Sequence, residues 1–169
     1  PPSSRKSADR STVRSTGPPR RWLWPSRRAI YSGAMTTSTT PWTHPLLEGT
    51  HVRLEPLGRE HLPGLVEVGL DPELWRWTTT RATTPEAMAR YVETALAEAS
   101  SGRAFPFATV ERSSGRVVGS TRYGAVDRGN RRVEIGWTWL APPWQRSALN
   151  TEAKLLMLRH AFEVMGCIR

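Results

Sequence analysis

Residues 133–166, V-E-I-G-W-T-W-L-A-P-P-W-Q-R-S-A-L-N-T-E-A-K-L-L-M-L-R-H-A-F-E-V-M-G, decide the reading of this chain. A run rich in β-branched and aromatic residues comes first, and a loop broken by Pro142 and Pro143 follows it. Then comes a long segment with apolar residues at helical spacing. A loop placed directly before a helix N-terminus meets unpaired backbone N–H groups and the positive end of the helix dipole, which together favour an anion. Strand–loop–helix units of this kind hold the phosphates of nucleotide cofactors in several folds.

Working outward, the segment from His51 to Leu57 alternates apolar Val52 and Leu54 with Arg53 and Glu55, the pattern of a half-buried strand. Arg59 to Leu70 carries Leu62, Leu65, Val66 and Leu70 at helical spacing, with Pro63 tolerable in the first turn. Asp71-Pro72 opens a turn, and Glu73 to Trp77 is expected as a short helical piece. Thr84-Pro85-Glu86 is a strong helix start: a capping threonine, proline at the first position, and an acid at the positive dipole end. Met88, Tyr91, Val92, Ala95, Leu96 and Ala99 form its apolar stripe, and Gly102 suits its end. Ala104–Glu111 and Arg116–Ala125 read as strands joined at Ser113-Ser114-Gly115, and Asp127 to Asn130 turns into the opening stretch. The order is strand, helices, three antiparallel strands, helix, an α+β (mixed α/β) pattern rather than an alternating one.

Strict alternation puts Glu134, Gly136, Thr138 and Leu140 on one face, opposite Val133, Ile135, Trp137 and Trp139. The last helix is expected to pack Leu155, Leu158, Ala161, Phe162 and Met165 on the sheet, leaving Glu152, Arg159 and Glu163 as a polar strip.

Composition narrows the classes. Of a formal net charge of +9 in 169 residues, residues 1–34 contribute +7 through eight basic side chains against Asp9, so the rest is close to neutral. That distribution argues against nucleic acid as the partner of the folded part. Residues 1–41 are expected to be a disordered basic leader. An organellar transit peptide, a twin-arginine signal at Arg20-Arg21 and a nucleic-acid-binding arm compete with a simpler expectation, that Met35 is the natural start and residues 1–34 are not native. A single cysteine, Cys167, excludes an internal disulfide and fits a reducing, cytoplasmic setting. No apolar run approaches the roughly 20 residues of a membrane span. The histidines, His44, His51, His61 and His160, show no metal-ligand spacing.

L-E-G-T-H-V-R-L-E-P-L (47–57), S-G-R-V-V-G-S (114–120) and V-E-I-G-W-T-W-L-A-P-P-W-Q-R-S-A-L-N-T-E-A (133–153) together resemble the GNAT superfamily of acetyl-CoA-dependent N-acetyltransferases, in its RimJ/RimL-like branch. The resemblance runs from about His44 to the last residue and implies residues 42–169 are a partial GNAT domain, a mostly antiparallel sheet flanked by helices. It implies acetyl transfer from acetyl-CoA to a primary amine, on a protein N-terminus or a small molecule, with no metal. In the family, a loop of pattern Q/R-x-x-G-x-G/A wraps the cofactor pyrophosphate, which implies Gln145, Arg146, Ser147, Ala148, Leu149, Asn150 and Thr151 here. Ala148 and Asn150 depart from the pattern, and Asn150 is a residue that tolerates positive φ. The exposed backbone of Trp139, Leu140 and Ala141 is the implied partner of the pantetheine arm. Glu134, eleven residues before Gln145, is the implied general base; pairing with Arg131 or Arg132 is its structural alternative. The chain stops at Cys167-Ile168-Arg169, where the family's fifth strand begins, so the expectation is a fragment lacking the C-terminal strands and inactive alone. An inactive CoA-binding or interaction module is the competing reading.

Overall fold

The computed structural model describes residues 42–169. The expectations placed on residues 1–41 lie outside the described residues.

Five strands form one antiparallel sheet in the order β1-β2-β3-β4-β5. They are β1 (Leu47–Glu48), β2 (Val52–Pro56), β3 (Phe105–Glu111), β4 (Val117–Asp127) and β5 (Arg132–Leu140). Among the described residues three α-helices complete the fold, α1 (Leu62–Gly69), α2 (Pro85–Ser100) and α3 (Ala148–Arg159), the last continuing into a π-helical turn at His160–Val164. The α+β expectation and its element order hold.

Local chemistry explains most boundaries. The Thr84 hydroxyl accepts from the Ala87 N–H at 3.2 Å, and Pro85 opens α2. Gly102, at φ +68°, ends that helix, and Gly115, at φ +70°, turns β3 into β4. Asp127 closes the last hairpin by accepting from the backbone and side chain of Asn130 at 2.9 and 2.8 Å. Pro63 does sit in the first turn of α1, after a 3₁₀ turn at Arg59–His61, and a second 3₁₀ turn covers Pro72–Trp75.

The sheet separates two cores. One face packs against α3, with Val52, Leu54, Phe107, Val118 and Tyr123 meeting Leu149, Ala153 and Met157. The other packs against α1 and α2, where Leu65, Trp75, Met88, Tyr91 and Val92 surround Ala108 and Trp139.

The expected core face of α3 and of the π-helical turn that extends it is corrected at three positions. Ala161 and Met165 are buried, but Leu155, Leu158 and Phe162 are exposed at 55, 45 and 50%. The helix carries two apolar stripes, and the sheet takes Leu149, Ala153 and Met157, four residues apart. Ala153 lets the helix approach closely, which the bulkier stripe does not. Glu152 also departs from the expected polar strip: its carboxylate accepts backbone N–H groups of Thr50, His51 and Val52 at 2.7, 2.6 and 2.9 Å. It ties α3 to the turn between β1 and β2.

Alternation along β5 also fails, at one place. Ser120 pairs with Trp139 but Arg122 pairs with Gly136, so β5 holds one residue more than β4 between those pairs. Trp137 takes up the extra residue at φ +50°. Glu134 and Gly136 lie on the α2 face, opposite Gly124 and Arg122. After the bulge Trp137 and Trp139 lie on that same face, while Thr138 and Leu140 turn toward α3. Glu134 and the two tryptophans therefore share a face, where strict alternation separated them.

Candidate active site

Two surfaces flank the C-terminal half of β5. The first is an open groove of about 520 Å³ where β5 ends, lined by Trp77, Thr138, Trp139, Leu140, Gln145 and Arg146, with Glu73, Leu74 and Asn150 at its margins. Each side of it has a local cause. The Ala141 N–H bonds the Val118 carbonyl at 2.9 Å and is the last rung between β4 and β5. Pro142–Trp144 then forms a 3₁₀ turn, because two prolines preset φ and supply no N–H to a ladder.

Gln145 donates from its side-chain amide to the Leu140 carbonyl at 2.8 Å, folding the loop back on the strand end. Arg146 follows at φ +57°, an αL conformation that turns the chain into α3. Ser147 caps the helix: its hydroxyl donates to the Trp144 carbonyl at 2.6 Å and accepts from the Leu149 N–H at 3.4 Å. Arg146 and Asn150, on either side of this cap, both line the groove.

The sequence-derived residues divide accordingly. Trp139, Leu140, Gln145, Arg146 and Asn150 come together on the groove. Leu149 turns its side chain into the core instead, and Ala141 is buried. Ser147 serves as the cap, while Ala148 and Thr151 are exposed on the first turn of α3. Asn150 is helical, so its tolerance of positive φ is not used; Arg146 carries the left-handed turn. Ala148 likewise sits at a helical position, where a methyl group costs the backbone nothing. Glu73, Leu74 and Trp77 were not anticipated. Trp77 is 87% exposed, with the Arg76 guanidinium 5.0 Å from its ring, and an exposed tryptophan beside Trp75 was the available signal.

The second surface lies on the α2 face. Glu134 is exposed on it, opposite Gly124 in the ladder. Neither arginine expected as its structural partner engages it: Arg132 pairs with Asp127 at 3.2 Å, and Arg131 donates to the Gly166 carbonyl at 2.7 Å. Trp137 closes over Gly124, whose missing Cβ leaves room for the ring. Trp139 sinks deeper, its ring 5.4 Å from Trp75 and against Gly69, with its indole N–H buried and unpartnered.

On the α3 face, Lys154 reaches the hydroxyls of Thr138 and Thr121 at 2.5 and 3.5 Å, and burial lowers its pKa. Among the described residues, the outer edge of β5 is met only at its start: the Ile168 N–H bonds the Arg131 carbonyl at 2.8 Å and the Val133 N–H bonds the Arg169 carbonyl at 3.3 Å. Among the described residues, no group of three or more His, Cys, Asp or Glu could hold a metal, and no helix is long and apolar enough to cross a membrane.

Comparison with known proteins agrees with this architecture. The family model described as an acetyltransferase (GNAT) domain matches residues 51–169. A structure from T. thermophilus described as an acetyltransferase is 36% identical, with a TM-score of 0.66; the match covers 75% of this chain and 65% of that one. A GCN5-related N-acetyltransferase from Brucella melitensis is 28% identical at a TM-score of 0.66, covering 74% of this chain and 57% of that one. RimL, a ribosomal L7/L12 α-N-protein acetyltransferase, shares the fold at 19% identity and a TM-score of 0.63, over 74% of this chain and 68% of its own. The chain thus spans about 57–65% of the length of the first two. No curated protein matches the sequence significantly. With the GNAT model matching from the start of the second strand to the last residue, the chain belongs to the GNAT family of acetyltransferases.

Proposed function

We propose that this domain transfers an acetyl group from acetyl-CoA to a primary amine, with the groove at the end of β5 holding the cofactor and Glu134 serving as the base. One observation carries the reading. The end of β5, the αL turn at Arg146 and the N-terminus of α3 converge on one groove. A helix start and an exposed guanidinium offer donors and positive potential to a pyrophosphate. The outer edge of β5 beyond Val133 offers backbone groups to an extended amide arm, and the orphan indole N–H of Trp139 is a further donor buried under the groove.

Acetyl-CoA, when bound, supplies an acetyl group activated as a thioester. The chain's own task is to deliver a neutral amine. A carboxylate at Glu134 takes the proton from the acceptor ammonium, directly or through one water, and Trp137 on the same face excludes solvent from one side. Removing a positioned base of this kind costs about 10²–10⁴-fold in rate.

Ala148 and Asn150 favour the competing reading, a CoA-binding module without turnover. Calorimetry with acetyl-CoA and thiol release over a panel of amines separate the two. Binding with thiol release supports the enzyme, whereas binding without release on any amine supports the module. Glu134→Gln should lower the rate and remove the ionisation of the base from the pH–rate profile. A profile unchanged in shape and height removes Glu134 from the role.

A further inference from the structure

The α2 face holds a pocket separate from the cofactor groove, of about 270 Å³, lined chiefly by Arg81, Arg90, Tyr91, Glu98, Arg122 and Trp137. Arg122 is its floor and is 2% exposed. Its guanidinium is clamped between two rings, 5.3 Å from Tyr91 and 5.0 Å from Trp137. Nη1 donates to the Glu98 carboxylate at 2.7 Å, while Nε is buried without a partner. A desolvated cation with an unused donor is a costly arrangement unless something completes it.

The charge around it is unbalanced. Glu98 offsets Arg122, which leaves Arg81 and Arg90 exposed at the mouth, neither of them in a salt bridge among the described residues. Glu86, one turn before Arg90, is engaged first with a backbone N–H and the Thr84 hydroxyl at the start of α2, and Arg90 acts on it more weakly, through charge alone. The pocket therefore presents two exposed arginines, with Arg90 partly offset by Glu86, and an aromatic wall.

Its position relative to Glu134 matters. Arg122 and Gly124 are two residues apart on one face of β4, a spacing of roughly 7 Å. Glu134 is the ladder partner of Gly124, and the ring of Trp137 lies across Gly124 and Arg122. An acceptor laid along Trp137 with its amine at Glu134 places its next substituent among the arginines.

We propose that this pocket binds a carboxylate carried by the acceptor about one residue from its amine, so that the acceptor is an acidic primary amine rather than a neutral or basic one. This rests on the acetyl-transfer reading for the amine end; the anion site itself rests on Arg81, Arg90 and Arg122. An acidic second residue of a peptide and the side chain of a free dicarboxylic amino acid present the same chemistry.

The test uses the tripeptides Ser-Glu-Ala and Ser-Gln-Ala, and free glutamate, titrated into the ¹⁵N-labelled protein while the indole N–H of Trp137 is followed. Trp137→Phe assigns that signal. Ser-Glu-Ala should move it and bind about ten-fold more tightly than Ser-Gln-Ala, the size of one charge-assisted hydrogen bond. Arg81→Gln with Arg90→Gln, both positions outside the core, should abolish the preference. Glutamate matching the acidic tripeptide identifies the small-molecule source, and glutamate binding more weakly identifies the peptide. Equal affinity for the two tripeptides, or a preference that survives the double variant, overturns the proposal. Thiol release with the same compounds keeps the two readings apart. Equal turnover of both tripeptides refutes the anion site and leaves acetyl transfer standing; an anion preference with no turnover of any amine does the reverse.

Discussion

Glu152→Ala removes one acceptor from three backbone donors at once. The Thr50 and His51 N–H groups are exposed and recover water, whereas the Val52 N–H is attached to a fully buried residue at the start of β2. Hydrogen bonds to a charged group contribute about 1.5–3 kcal/mol when sheltered and far less when exposed, so the expected loss is about 2–4 kcal/mol. With a urea m-value of about 1–3 kcal/mol per molar, the unfolding midpoint should fall by about 0.7–4 M. The pH dependence is a second readout. Burial pushes the Glu152 carboxyl up, but the three N–H bonds from Thr50, His51 and Val52 outweigh it and leave the group below its usual range. A depressed carboxylate contributes stability above its unfolded value, near 4.3, and loses it as pH falls through the folded value. The gap between parent and variant should therefore close below about pH 4. Gly49 gives an internal control: a Cβ there would strike the Glu152 carboxylate. Gly49→Ala should destabilise the parent and cost much less on the Glu152→Ala background, a coupling read from a double-mutant cycle. A variant within about 0.5 kcal/mol of the parent, with the same acid limb and no coupling to Gly49→Ala, would refute the latch.

Three further outcomes are expected. Met157→Ala, at a fully buried position, should cost about 2–5 kcal/mol, while Leu158→Glu, one residue on but exposed, should change stability by less than about 0.5 kcal/mol; chemical denaturation of both variants distinguishes the two stripes of α3. His44, edge-on to Phe107 at 4.7 Å, has its pKa pushed down to about 4 by burial against a backbone bond at Pro106. Its contribution is complete above about pH 6.5, the unfolded value, and is lost as pH falls from there toward 4, so His44→Gln should flatten that limb of stability against pH. Gly124→Ala would drive a Cβ into the Trp137 ring, at a cost of about 1–3 kcal/mol and with a change in tryptophan fluorescence; unchanged emission would mean the ring does not lie there.

Most of the fold was legible because its signals are local. The Thr84-Pro85 start of α2 and the hairpin turn at Gly115 each depend on a few adjacent residues whose conformational preferences are strong. What escaped was set at a distance. β1 is two residues long and exists only through its pairing with Arg53 and Leu54, so no periodicity announces it. Leu155, Leu158 and Phe162 form a valid helical stripe, but the sheet buries the one that carries Leu149, Ala153 and Met157. Glu152 read as a solvated charge because its three donors lie a hundred residues earlier in the chain. The site was half legible. Gln145 and Arg146 were found with the loop, though the αL turn fell on Arg146 and not on Asn150. Arg122 offered no signal at all, since an arginine in a strand reads as solvent-facing until its flanking rings are known.

The extra residue at Trp137 changes what kind of mutation β5 can survive. Side-chain direction in a strand is a matter of odd and even count, and the bulge shifts that count by one. A substitution at Trp137 alters one side chain and leaves the count intact. Excising the residue restores an unbroken ladder with Gly136 and Trp139 still on the α2 face and Thr138 and Leu140 still on the α3 face, so that what is lost is the Trp137 ring over Gly124 and Arg122. Loss of a single codon here would therefore be tolerated far better than loss of one elsewhere in β5, which would exchange the two faces of every residue beyond it.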